Sequence, residues 1–248
     1  MFKKLLPRAL IALIFLSVAL LLTAPAQVVE RQLSSQIPGV STEGTEGRLW
    51  SGKFARVSYQ QLSVHQVGWS LSAGSLLTAK AGATITIDDV LFKGSLFVQQ
   101  SLGGTSNLSD INGRQSLDAL SDVLPILRFI KPSGDAIWQD VSLSFDASNY
   151  HTASGTVTWP DAILTANGQS YVLGEMMIEL SAEDGKLILS LSSDQQLDLS
   201  GSIALDRKQH YDLEVSVRED LPENLYNAIR MMARPDGAGR LTFNRSGN

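Results

Sequence analysis

The stretch Phe54-Ala55-Arg56-Val57-Ser58-Tyr59, continued by Leu62-Ser63-Val64-His65 and Val67-Gly68-Trp69-Ser70-Leu71-Ser72, alternates in part between apolar and polar residues. Side chains along a strand point to opposite faces in turn, so a period of two describes half-buried β-strands. Outward from there the same signal predicts strands over residues 83–88, 90–99, 141–147, 155–159, 175–181, 186–191, 197–205 and 211–217. Turn signals such as Asp88-Asp89, Glu183-Asp184-Gly185 and Asp206-Arg207-Lys208 separate the runs at a spacing too short for parallel crossovers. The prediction is an antiparallel meander. Its similar segments, among them 89–96 and 197–203, are too loose for a formal repeat. A regular sheet with one apolar face must cover it with helices, curl upon itself, or present it to a greasy ligand.

Two segments carry a helical period instead. In residues 116–130, Leu117, Leu120, Leu124 and Leu127 recur at helical spacing, Asp118 lies in the first turn and Lys131-Pro132 closes the run, with Pro125 predicting a kink or a split. In residues 222–233, Pro222 stands near the start, Leu225, Ile229 and Met232 share a face, and Pro235-Asp236-Gly237 ends the segment. Residues 28–37 are compatible with a further amphipathic helix before Pro38-Gly39.

At the amino terminus, Lys3, Lys4 and Arg8 precede residues 9–24, whose only polar members are Ser17 and Thr23. Counted from Leu5, the stretch reaches about 20 residues, enough to span a bilayer core as a helix. The basic residues before it keep Met1 cytoplasmic and direct the remainder of the chain to the far side of the membrane. Ala24-Pro25-Ala26 also fits a signal-peptidase site, but the apolar run exceeds the usual signal-peptide core and favours an uncleaved anchor. The predicted fold is mainly β: a single N-terminal transmembrane helix, then a curved antiparallel β-sheet domain with two short helices. The divisions are residues 1–26 as membrane anchor, 27–45 as juxtamembrane segment and 46–248 as exported β domain, which the family resemblance given below makes periplasmic.

The 248 residues contain no cysteine, which rules out disulfides, thiol catalysis and cysteine-ligated metal sites. A formal net charge of −5, more acidic still once the anchor's cations are set aside, argues against broad binding to nucleic acid or anionic lipid, both of which rely on dense lysine and arginine. His65, His151 and His210 lie far apart and outside any zinc-protease pattern, and read as polar strand or turn positions. Asp88 and Asp89 would point to opposite faces of a strand and so read as a turn, not as paired catalytic carboxylates. No nucleophile elbow or phosphate-binding loop is present. The sequons at Asn107 and Asn244 are chance-level matches, and Trp50, Trp69, Trp138 and Trp159 read as sheet-packing aromatics. The expectation is a protein without enzymatic activity and without a cofactor.

The most distinctive local pattern, Gly47-Arg48-Leu49-Trp50-Ser51-Gly52, resembles the G-x-L-W-x-G segment of type II secretion system protein N. Val67-Gly68-Trp69-Ser70-Leu71, followed by Ser75-Leu76-Leu77, is similar to that family's V-x-W-x-L segment, and Gly237-Ala238-Gly239-Arg240-Leu241 looks like its closing element. The family-motif residues are therefore Gly47, Leu49, Trp50, Gly52, Trp69, Leu71, Gly237, Gly239 and Arg240. The resemblance implies an inner-membrane, periplasm-facing accessory component of the machine that exports folded proteins. Its implied partners are other inner-membrane and periplasmic subunits. The alternative is a periplasmic lipid- or hydrophobe-binding protein whose curved sheet offers an apolar groove, to which Leu187, Leu189 and Leu191 would contribute one face. An open apolar channel favours the second; a filled interior removes it.

Overall fold

The computed structural model describes residues 23–60, 62–123, 130–166, 168–193, 197–208, 210–221, 223–230 and 233–247. Its strands run β1 (Val40–Glu43), β2 (Glu46–Gly47), β3 (Ser51–Tyr59), β4 (Leu62–Leu71), β5 (Lys80–Asp88), β6 (Phe92–Ser101), β7 (Ser106–Ser116) and β8 (Ile130–Ser133). They continue as β9 (Asp135–Phe145), β10 (Tyr150–Ala166), β11 (Gln169–Glu183), β12 (Lys186–Ser193), β13 (Ser200–Leu205), β14 (Tyr211–Arg218), β15 (Arg234–Pro235) and β16 (Arg240–Gly247). The helices are α1 (Gln27–Gln36), α2 (Ala73–Leu77), α3 (Leu117–Val123) and α4 (Glu223–Arg230). Among the described residues all these strands join one sheet in the order β1-β3-β4-β5-β6-β7-β9-β10-β11-β12-β13-β14-β16-β15, with β2 on β3 and β8 on β10. The described pairings are antiparallel, as the meander predicts.

Directly paired residues share a face, and the register produces one unbroken apolar row across the sheet. It passes through Phe54, Val67, Ile87, Gly94, Gly113 and Trp138. It continues through Val157, Ile178, Leu191, Gly201, Val215 and Phe243. The opposite face carries Thr156, Glu179, Ser190, Ser202, Glu214 and Asn244 in a parallel row. Of the apolar row only Phe54 is buried; the rest are half-buried.

The sheet curls toward its apolar face. Arg207, in the β13–β14 turn, donates from Nε to the Asp146 carbonyl in the β9–β10 turn at 3.0 Å, and its guanidinium lies 4.5 Å from the Phe145 ring centroid. In a flat sheet those turns would stand four strand spacings, roughly 19 Å, apart, beyond the reach of one side chain. Bulges supply the bend: the register shifts between β7 and β9 next to Asp110 and Asp140, both at positive φ. Asn112 and Asp140 stitch the site, with Asp140 N–H donating to Asn112 Oδ1 at 2.9 Å.

Several predicted bounds change. The helix predicted over 116–130 is helical only through α3; residues 124–129, with Leu124, Pro125 and Leu127, lie outside the described residues, and Lys131-Pro132 belongs to β8. Among the described residues that strand pairs with β10 alone, so its proline costs no ladder bond on the other side. The second predicted helix shortens to α4, with Pro222 and Met232 outside the described residues. Three helices are described in the β domain where two are predicted, since α2 carries no helical signal because five residues are too few to show a period; ahead of them, α1 falls where the sequence is compatible with an amphipathic helix. Ser72 caps α2 by accepting from Ser75 N–H at 3.3 Å. The strand predicted to end at Trp159 continues through Pro160, which sits at a register shift where no ladder bond is needed. β7 falls outside the predicted strands because SNLSDINGRQS is mostly polar and its alternation breaks at the bulge.

No helix among the described residues is long and apolar enough to cross a membrane. The predicted anchor lies almost wholly in residues 1–22, outside the described residues.

A methyl group on Gly113 would approach the Phe92 ring and the Lys93 carbonyl to 2.6 Å, and Phe92 in turn packs edge-on against Trp138. Gly113→Ala is expected to cost about 1–3 kcal/mol by overpacking, read as a lower urea midpoint. Ser190→Ala, on the exposed polar face, should stay within about 0.5 kcal/mol.

Candidate functional site

The tight Gly47-Arg48-Leu49-Trp50-Ser51-Gly52 segment leads into β3 and grips the start of the described chain. Leu49 N–H donates to the Ala24 carbonyl at 2.8 Å, Ala26 N–H to the Gly47 carbonyl at 3.3 Å, and Pro25 bridges Arg48. Trp69, 6% exposed, donates from Nε1 to the Leu49 carbonyl at 3.0 Å and packs on Phe54 with ring centroids 4.5 Å apart. Leu71 N–H donates to the Trp50 carbonyl at 2.7 Å. Two glycines make this close approach possible. Gly47 has φ +101°, and a Cβ on Gly52 would meet the Trp69 ring at 2.5 Å. The segment thereby fixes where α1 begins, and α1 lays Val29 and Leu33 over Phe54 and Trp69.

The other predicted motif sits at the far end of the strand order. Gly237 and Gly239, both at positive φ, shape the turn between β15 and β16, and Asp236 Oδ1 accepts from Ala238 and Arg240 N–H at 2.7 and 3.1 Å. Arg240 reaches back as a clamp. Its Nε donates to Ser216 Oγ at 2.7 Å, Nη1 to Asp198 Oδ2 at 2.8 Å and Nη2 to the Asp198 carbonyl at 2.6 Å. The structure thus places the predicted residues in two locks, one at each end of the strand order, rather than in one catalytic cluster.

Among the described residues, three apolar cavities lie along the inner face. The first, about 470 Å³, lies under α1 and is lined by Leu33, Phe54, Trp69, Ile85 and Val98 among others. The second, about 420 Å³, lies beside α3, with Leu120, Trp138, Val157, Trp159, Ile178 and Leu189. The third, about 250 Å³, lies under α4, with Leu173, Leu197, Val215, Ile229, Leu241 and Phe243. The indole N–H groups within the walls are satisfied: Trp138 donates to Gln115 Oε1 at 3.1 Å and Trp159 to the Ser133 carbonyl at 3.0 Å. Walls of this kind bind by removing hydrocarbon from water, at roughly 25 cal/mol per Å². Leu189 lines the second cavity and Leu187 and Leu191 share its face, as the sequence predicts.

A family model described as type II secretion system (T2SS), protein N matches residues 38–244. The chain belongs to the type II secretion system protein N family. Three curated relatives carry the name type II secretion system protein N. The one from Aeromonas hydrophila is 25% identical over 250 residues, covering 97% of this chain and 98% of the relative. Those from Vibrio cholerae serotype O1 and Pectobacterium carotovorum subsp. carotovorum are each 24% identical and cover 90% and 84% of both chains. No solved structure matches the chain. The match to the protein N family takes in both locks and all three cavities, apart from α1 and the residues gripped before it.

In this member of the protein N family the histidines each face an aspartate. His65 Nδ1 lies 2.8 Å from Asp89 Oδ2, His151 Nε2 lies 2.9 Å from Asp146 Oδ2 and His210 Nδ1 lies 2.9 Å from Asp206 Oδ2. The first pair joins residues too distant in sequence for spacing to show it. Asp89 turns the chain between β5 and β6, as the sequence predicts, accepting from Leu91 N–H at 2.8 Å and His65 N–H at 2.8 Å. Arg56 Nε donates to His65 Nε2 at 3.1 Å, so that nitrogen is an acceptor and Nδ1 carries the proton toward Asp89. Among the described residues no group of three or more His, Cys, Asp or Glu could hold a metal ion.

Arg240→Ala should cost about 1.5–3 kcal/mol, the scale of hydrogen bonds to a charged group, with Arg240→Lys recovering only part because an ammonium cannot reproduce the fork. Equilibrium urea titration reads both. Burial acts to raise the Asp89 carboxyl pKa, but the bonds from Leu91 and His65 outweigh it and hold it below the ordinary value. A depressed carboxyl contributes stability above its unfolded pKa of about 3.9, and that contribution disappears as pH falls through the folded value. Asp89→Asn is expected to lower stability by about 1–3 kcal/mol at pH 7, with the gap to the parent narrowing below pH ~4. Paired titrations at pH 7 and in acid check the sign.

Proposed function

We propose that this chain is a non-enzymatic accessory component of the type II protein secretion system. In this reading one apolar helix near the amino terminus holds it in the inner membrane, N-terminus cytoplasmic. The sheet stands in the periplasm, where it contacts other inner-membrane and periplasmic secretion subunits. The observation that carries the reading is the family match over residues 38–244, together with a relative of that family name covered almost end to end. The grip of Leu49 and Gly47 on Ala24 and Ala26 supports it, because it couples the end of the apolar run to the sheet within a few residues. A body docked this closely to its anchor is held near other membrane subunits at raised effective concentration. The function needs a contact surface, and the polar outer face with Glu179 and Glu214 supplies one that is acidic and hydrated.

The chain has no cysteine, so single introduced cysteines report topology cleanly. Ser192→Cys on intact cells with a permeabilised outer membrane should react with a membrane-impermeant maleimide, whereas Lys3→Cys should not. Deleting the gene should leave an exported hydrolase several-fold enriched in the periplasm, with the full chain restoring its release. Labelling of Lys3→Cys from outside, or unchanged export after deletion, would overturn the reading.

A further inference from the structure

The apolar row on the inner face is mostly half-buried and borders three apolar cavities. We propose that this face is a groove for the acyl chains of membrane phospholipid, entered at the rim where α1 begins. The inference rests on the secretion reading only for the orientation of that rim toward the membrane.

Three observations converge on this occupant. The apolar row from Phe54 to Phe243 supplies wall residues to all three cavities, so they lie along one face of one sheet. The inner strands use their backbone groups in ladders with both neighbours. An extended peptide laid there would bury N–H and C=O groups with nothing to bond, at a cost a hydrocarbon chain avoids.

The rim supplies the second. The first cavity reaches it through Ala81 and Gln100. There the β6–β7 turn presents Leu102, 89% exposed, and α2 presents Leu76, 53% exposed. The segment that grips Ala24 is bonded to the same end of β4, through Leu71 and Trp50. Ala24 is the last residue of the apolar run 9–24. The entrance therefore opens where that run ends. Arg48 and Lys80 add positive charge at this rim, matching a phosphate headgroup.

Cover beyond the entrance is the third. At the opposite end of the strands α4 packs Tyr226 and Ile229 against the core beside the third cavity, and farther along the entrance rim Arg207 bridges the β9–β10 and β13–β14 turns over Phe145 and Tyr150.

The test uses the full chain in phosphatidylcholine vesicles in which one acyl chain carries a diazirine near its end. After photolysis, adducts are mapped by peptide mass spectrometry. Adducts at Val98, Ile178 and Leu189, at least tenfold above Ser190, Ser202 and Glu214 on the outer face, are expected. Adducts confined to residues 1–26, Leu76 and Leu102, or equal on both faces, overturn the groove. The export assay separates the two claims: inner-face adducts with unchanged export sink the secretion reading alone, and an export defect without those adducts sinks the groove alone.

Discussion

A sheet with one continuous hydrocarbon face cannot leave that face to water, and the other features of this protein reflect how the chain meets that constraint. Apolar area removed from water is the dominant favourable term in folding, yet most of the row from Phe54 to Phe243 is only half-buried. Curling brings part of the face against itself, as the contact of Arg207 with the β9–β10 turn records. The helices cover more, α1 and α4 near the two ends of the strand order and α3 between them. What they leave is a series of apolar cavities, not a close-packed core of the usual density.

The two locks explain why the distinctive sequence motifs lie where they do. The first fastens the covering helix α1 to the sheet, and the second ties the last strands to one another. At the amino-terminal end, glycines without side chains allow the Trp69 ring to press against the backbone, and the indole then bonds to Leu49. At the other end Arg240 bonds to Ser216 on β14 and to Asp198 ahead of β13, from the first residue of β16. Tryptophan, glycine and arginine are used here for shape and hydrogen bonding. Their chemistry is that of a frame.

Such a frame leaves a polar outer face and an apolar inner face on the same strands. The polar and apolar rows are separated by the pleat alone, so one strand serves both faces without compromise. Membership in the protein N family and the apolar interior are therefore compatible descriptions of one molecule.

Much of this was legible in the chain itself. Alternation over 54–72, 83–88 and 211–217 specified strands, because the pleat imposes a period of two on any half-buried strand. Short turn signals specified antiparallel neighbours, and the Gly47 to Gly52 pattern pointed to the family. Where alternation failed, as in polar β7 with its bulge at Asp110, or at Pro160 inside β10, sequence periodicity could not track the strand, since a bulge shifts the phase by one residue. Local sequence thus determined which residues turn inward. The tertiary structure alone decided that His65 meets Asp89, that Arg240 clamps Asp198 and that three cavities share one face. Those depend on register and curl between residues distant in the chain, and such long-range pairings leave no periodic trace in the sequence.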